Sequence, residues 1–174
     1  MADFMGRHMA QEPQDIPIWD KFFDTCPIKS LIELGTGHGG MTLYFGLQCH
    51  KRGVEFYTFD NVQSTDFAMP IEQEIGLAKA FTLIDIFSDE GTTQIKGLIE
   101  NCPKPLAIFF DNGNKPREWS LFAHLTSPGD FCAVHDWGTE FTESDIGSVA
   151  VEQLFVEESD ARGPGWKAVW FARV

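Results

Sequence analysis

Apolar residues in this chain fall into short, nearly unbroken runs separated by stretches of helical spacing. Ser30–Leu34, Glu55–Asp60, Ala80–Ile84, Leu106–Asp111, Phe131–Asp136 and Lys167–Val174 each read as a strand. A run such as Leu106-Ala107-Ile108-Phe109-Phe110 suits a strand covered by helices on both faces. Met41–Lys51, Pro70–Ala78, Gly91–Asn101, Lys115–Leu125 and Asp145–Phe155 carry helical spacing between them. Asp89 with Thr92-Thr93 resembles a helix start, and Ser127-Pro128-Gly129-Asp130 is a turn signal just before a strand. The alternation predicts an α/β fold: a Rossmann-like, doubly wound, mostly parallel sheet with ligands at the carboxyl ends of its strands. Residues 1–29 read as an N-terminal segment ahead of a domain spanning 30–174. Within that segment, Asp15–Phe23 looks like an amphipathic helix that covers the site or a subunit face. Gly6-Arg7-His8-Met9 has the character of a tag remnant.

One junction changes the picture from fold to chemistry. Leu31-Ile32-Glu33-Leu34 runs into Gly35-Thr36-Gly37-His38-Gly39-Gly40, and that turn opens a helix at Met41. Closely spaced glycines let a ligand rest on the backbone. The spacing fits a dinucleotide fingerprint at Gly35, Gly37 and Gly40, and equally an E-x-G-x-G-x-G pattern at Glu33, Gly35, Gly37 and Gly39. The turn by itself leaves both open.

Composition narrows the classes. At 174 residues the chain fits one domain with a core of its own. Its net charge of −13 repels nucleic acid and anionic membranes, and Lys51-Arg52 and Lys115-Pro116-Arg117 are its tightest basic clusters. No apolar stretch approaches the roughly 20 residues that cross a bilayer. A cytoplasmic protein acting on a small molecule is the default expectation. Cys26, Cys49, Cys102 and Cys132 show no paired metal-ligand spacing and read as reduced, mostly buried thiols.

The strand ends carry acids: Asp60, Asp85, Asp111 and Asp136. A lone acid after a strand is usually a turn former or helix cap. Four at one sheet edge above a glycine turn suit a cationic or hydroxyl-rich ligand, or a divalent metal. A pyrophosphate disfavours such a neighbourhood, whereas an ammonium group suits Glu33. S-adenosylmethionine carries an ammonium and a sulfonium and no phosphate.

From about Ser30 onward the chain resembles the class I S-adenosylmethionine-dependent methyltransferases, through the Glu33-to-Gly39 turn, Asp60 and Asp85. Phe110-Asp111-Asn112-Gly113-Asn114-Lys115-Pro116 and Ala133-Val134-His135-Asp136-Trp137 are similar to the cephalosporin hydroxylase and macrocin O-methyltransferase group. Trp166–Phe171 is similar to the last, antiparallel strand of that fold. The resemblance implies that Glu33, Gly35, Thr36, Gly37 and Gly39 hold the methionine end of the cofactor. It assigns Asp60 and Asn61 to the ribose and Asp85 and Ile86 to the adenine edge, with Asp111 also at the cofactor. It further implies a magnesium ion at Asp111, Asp136 and the position of His135, where the group carries an acid. Imidazole is a softer donor than carboxylate, which shifts the expectation toward manganese.

Methyl transfer to oxygen needs an aligned acceptor whose pKa is lowered, a task for a metal or a base. Lys115 is a candidate base if its pKa is depressed, and His135 is its rival. Phe87, Trp119, Trp137 and Phe141 are candidates for an acceptor pocket. The chain is short for this group, so the acceptor site is either open or closed by an adjoining subunit in a homo-oligomer. The rival readings are an NAD-dependent oxidoreductase on a Rossmann sheet and a non-catalytic cofactor-binding protein.

Overall fold

A computed structural model of the chain describes residues 2–61, 80–163 and 165–174. The expected helix at Pro70–Ala78 lies outside the described residues. A small hairpin comes first, β1 (Ala2–Phe4) with β2 (Arg7–Met9), followed by helix α1 (Asp15–Thr25). Strand β3 (Ser30–Leu34), helix α2 (Gly40–Arg52), β4 (Glu55–Asp60) and β5 (Ala80–Leu83) form one half of the main sheet. Helix α3 (Asp89–Asn101), β6 (Leu106–Phe110), helix α4 (Lys115–Phe122) and β7 (Phe131–Trp137) form the other. The chain ends with β8 (Val151–Leu154), the short helix α5 (Val156–Asp160) and β9 (Lys167–Arg173).

The seven strands of the main sheet run in the order β5-β4-β3-β6-β7-β9-β8. Pairings from β5 through β7 are parallel, and β9 is inserted antiparallel between β7 and β8. Strand β3 pairs on one side with β4 and on the other with β6, so the winding reverses there and a crevice opens at the carboxyl ends.

The unbroken apolar runs are explained by two cores, one on each face. Leu31, Ala107, Phe109, Ala133 and Trp170 face α1 and α2, while Ile32, Ile108, Phe110, Val134 and Val169 face α3 and α4. Helix α1 is amphipathic as expected, but its apolar side lies on this chain's own sheet and not on a subunit face. Trp19 is fully buried, edge-on to Phe45, Phe109 and Trp170 at 4.7–5.2 Å. Asp15, also fully buried, pairs with Arg162 and accepts from the Ala168 amide, tying α1 to β9. All four cysteines are free and buried.

Two expectations fail. Asp145–Phe155 is not a helix: a single 3-10 turn at Glu143–Asp145, capped by Thr142, gives way to β8. Gly147 takes φ +61, which breaks helical geometry, and pairing of Val151–Leu154 with β9 outweighs the local spacing. Gly6–Met9 is not an appendage either. It completes the N-terminal hairpin, and Met9 is buried in the core beside α2.

Candidate active site

The glycine turn is shaped first by its own chain. At Gly35 the backbone has φ +103, and a Cβ there would lie 2.3 Å from the Asp111 carbonyl oxygen. The end of β6 therefore approaches β3 so closely that only glycine fits. At Gly40 a Cβ would lie 2.4 Å from the His8 carbonyl oxygen, because the N-terminal hairpin sits on the start of α2. These two glycines answer to protein backbone; of the intervening two, both at positive φ, Gly37 is exposed with open space where a Cβ would go, and Gly39 is buried. Asp60, at the end of β4, accepts from the Gly37 amide at 2.7 Å and so braces the turn. Thr36 bonds Thr58 at 2.6 Å between their hydroxyls.

Glu33 is fully buried on the α2 side of β3. The hydroxyls of Thr42 and Thr58 donate to its Oε2 at 2.7 and 2.6 Å, while Oε1 has no protein partner. Burial pushes its carboxyl up to about 8, against the two hydroxyls that favour the charge. Glu33 stands beneath the turn and does not line the cavity above it.

Asp111 and Asp136 do converge. Adjacent residues on a regular strand point to opposite faces, yet His135 and Asp136 both reach Asp111. The pairing of β7 with β9 slips between Val134 and Trp137, and Asp136 takes φ +58. This bulge turns the Asp136 carboxylate toward its neighbour's imidazole. His135 Nδ1 lies 3.2 Å from Asp111 Oδ1 and 3.2 Å from Asp136 Oδ1. Lys115, the first residue of α4, reaches back so that Nζ is 3.2 Å from Asp111 Oδ1, 2.6 Å from Asp136 Oδ2 and 2.9 Å from Glu140 Oε2.

The charges respond to one another. Burial alone would lower the proton affinities of Lys115 and His135, but the facing carboxylates outweigh it. Lys115 is raised above the ordinary lysine value, and His135 is pushed up to about 10. Burial would raise Asp136, and His135 with Lys115 instead hold it down at about 2. Lys115 is therefore shifted opposite to what a base requires, and the facing carboxylates favour the protonated form of His135.

A cavity of about 340 Å3 joins these groups. The turn from Gly35 to Met41 forms one wall, and Asp111, Lys115, His135, Asp136 and Glu140 form the other. Asp60, Asp85 and Ile86 do not line it. Asp85 forms a local turn, accepting from the Phe87 amide at 2.9 Å, and Ile86 is fully buried in the core. Asn61, exposed, directly follows β4.

Several residues here carry no signal in the sequence. Gln11 is buried and donates to Asp111 Oδ2 at 2.7 Å; nothing marks it before the hairpin is folded over α2. Glu118 is fully buried and accepts from the amides of Asn112 and Asn114, holding the loop between β6 and α4; burial raises it to about 7. Trp166, 62% exposed, lines the cavity, whereas the aromatic candidates do not. Trp119 and Phe141 are core, Trp137 packs on Phe141 and Phe171, and Phe87 lies under Arg117.

No protein-family model and no curated protein matches this sequence. Solved structures do match its shape. CmcI in its Mg-SAM form has a TM-score of 0.74 at 13% identity, over 99% of this chain and 76% of CmcI. CmcI with SAH gives 0.68 at 15% identity, over 99% and 81%. An O-methyltransferase family protein from Burkholderia thailandensis gives 0.57 at 12%, over 91% and 56%. The fold is that of the class I methyltransferases. In this methyltransferase fold the cavity occupies the switch point between β3 and β6, where the glycine turn and the acid cluster face each other. No helix among the described residues is long and apolar enough to cross a membrane.

Proposed function

We propose that this chain is an S-adenosylmethionine-dependent methyltransferase that methylates a hydroxyl of a small molecule, a sugar or a phenol. The observation that carries the reading is one cavity with the glycine turn on one wall and Asp111, Lys115, His135 and Asp136 on the other. The cofactor fits this cavity by charge. Asp111, Asp136 and Glu140 against Lys115 and His135 leave it net negative, which favours a sulfonium and an ammonium and opposes a pyrophosphate. Gly35, Thr36, Gly37 and Gly39 would cradle the methionine end, with Glu33 acting from below the turn. Asp60 and Asn61 are assigned to the ribose, Asp85 and Ile86 to the turn beside the adenine, and Asp111 to the boundary between cofactor and acceptor.

A divalent metal would be held by Asp111, His135 and Asp136, whose donor atoms lie within 4.8 Å of one another. Bound there, it would supply a Lewis acid that stabilises the acceptor's alkoxide or phenoxide. With no ion bound, Lys115 and a protonated His135 line the acceptor's side of the cavity as cations and would favour its deprotonated form; with an ion bound, His135 would instead be a neutral ligand. Trp166 offers the acceptor an apolar surface at the cavity's edge. Incubation with methyl-labelled S-adenosylmethionine and a panel of catechols and sugars, with and without manganese, tests the reading. Label in an ether product that Asp136→Asn fails to form supports it; no labelled ether from any acceptor overturns it.

A further inference from the structure

We propose that Lys115 is a built-in cation seated in the divalent-metal position, so that an ion enters this site only by displacing it. The inference deepens the reading above and rests on its assignment of the ion to Asp111, His135 and Asp136.

Asp111 Oδ1 faces Lys115 Nζ and His135 Nδ1, and Asp111 Oδ2 accepts from Gln11 Nε2. Asp136 Oδ1 faces His135 Nδ1, and Asp136 Oδ2 accepts from Lys115 Nζ. Every oxygen of the two acids is thus matched by a donor of this chain. The third contact of the ammonium goes to Glu140 Oε2 at 2.9 Å, so all three of its hydrogens have a carboxylate to meet.

Local structure pins this lysine. Lys115 follows Asn114, whose side chain caps α4, and Pro116 fixes the next backbone turn. Glu118 holds the preceding loop through the Asn112 and Asn114 amides. The side chain is 4% exposed, unlike a surface lysine that gains little from an ion pair. A divalent ion coordinated by Asp111 and Asp136 would have to separate Lys115 from both, and a buried pair broken on one side leaves an uncompensated charge. The resident ammonium therefore opposes metal entry. Removing its charge while keeping most of its bulk leaves His135 as the one cation facing Asp111, Asp136 and Glu140 among the described residues, and removes the charge that opposes an ion.

The test is calorimetric titration of manganese into the wild type, Lys115→Met and the double variant Lys115→Met with Asp136→Asn. We expect Lys115→Met to bind manganese at least about tenfold more tightly than the wild type, and the double variant to lose that gain. Equal affinity of wild type and Lys115→Met, or no binding to either, overturns the proposal. A second measurement needs no variant: acetylation of Lys115 in the wild type, read by mass spectrometry, should be slow alone and accelerate in excess manganese. An unchanged rate overturns the proposal as well. Thermal shifts with S-adenosylhomocysteine on the same proteins keep the two readings apart. Failure to respond to S-adenosylhomocysteine counts against the methyltransferase reading, whereas a normal response with unaltered manganese affinity counts against the role of Lys115 alone.

Discussion

Asp136 sits at φ +58, a conformation that asparagine and aspartate tolerate better than other side chains. Two demands meet in that residue, a carboxylate for Lys115 and a backbone that turns the carboxylate toward His135. They separate by mutation. Asp136→Asn retains the turn and should melt within a few degrees of wild type while the proposed methyl transfer falls by about 10²-fold or more. Asp136→Ala should lose a further ~1–2 kcal/mol of stability to left-handed strain. Equal melting of the two variants in thermal scans would show that backbone geometry does not select the residue. Glu33 supplies a prediction of pH dependence. Its carboxyl, ordinarily near 4.5, is raised by burial to about 8 in the folded chain. The folded state therefore holds this proton more tightly than the unfolded chain does. The resulting stability is present in full below pH 4.5 and is lost as pH rises toward about 8, at a slope of at most about 1.4 kcal/mol per pH unit. Glu33→Gln should flatten that slope in urea melts at pH 5 to 8, and parallel slopes for the two proteins would refute the assignment.

At the scale of elements, α1 packs under the sheet that carries the site, and the N-terminal hairpin borders the cavity through His8. Trp19 is fully buried among Phe22, Phe45, Phe109 and Trp170, and Trp19→Ala should cost ~3–5 kcal/mol in denaturant melts. Gly40→Ala acts differently. Its new methyl group would meet the His8 carbonyl at 2.4 Å, so the hairpin must lift off α2. Trypsin should then cut after Arg7 faster than in wild type, as mass spectrometry would record; unchanged cleavage would mean the helix yields and the hairpin stays. Elements were legible in proportion to how many faces they bury. Strands β3, β6 and β7 are covered on both sides and announce themselves as apolar runs. Strand β8 is a half-exposed edge strand, where helical spacing between Asp145 and Phe155 misleads. The hairpin strands span three residues each, too few for any periodicity to register.

The whole molecule decides what the glycine turn is for. Its sequence admitted two ligands, and the structure assigns much of its glycine content to packing against Asp111 and His8, leaving the facing wall to discriminate. That wall was half legible. Asp111, His135 and Asp136 were readable because each ends or follows a strand at the same sheet edge. Lys115 was readable as a neighbour of that site, but its ion pairs with both acids were not, because they depend on a bulge in β7 and on the Glu118 brace. Gln11 was invisible for the same reason, since folding brings it to Asp111 from a hundred residues away. The charge of the wall leads to a prediction for the intact protein. Three carboxylates and two cations about one cavity favour a ligand bearing an ammonium over one bearing two phosphates, and the −13 of the chain adds to that bias. S-adenosylhomocysteine, which retains the ammonium, should raise the melting temperature, with a stabilisation of about 2.7 kcal/mol at a hundredfold excess over its Kd. NAD at the same concentration should leave it unmoved. The discrimination should persist in Lys115→Met, whose lost positive charge makes the wall still less hospitable to a pyrophosphate. A melting shift with NAD that equals or exceeds the shift with S-adenosylhomocysteine would return the turn to its dinucleotide reading.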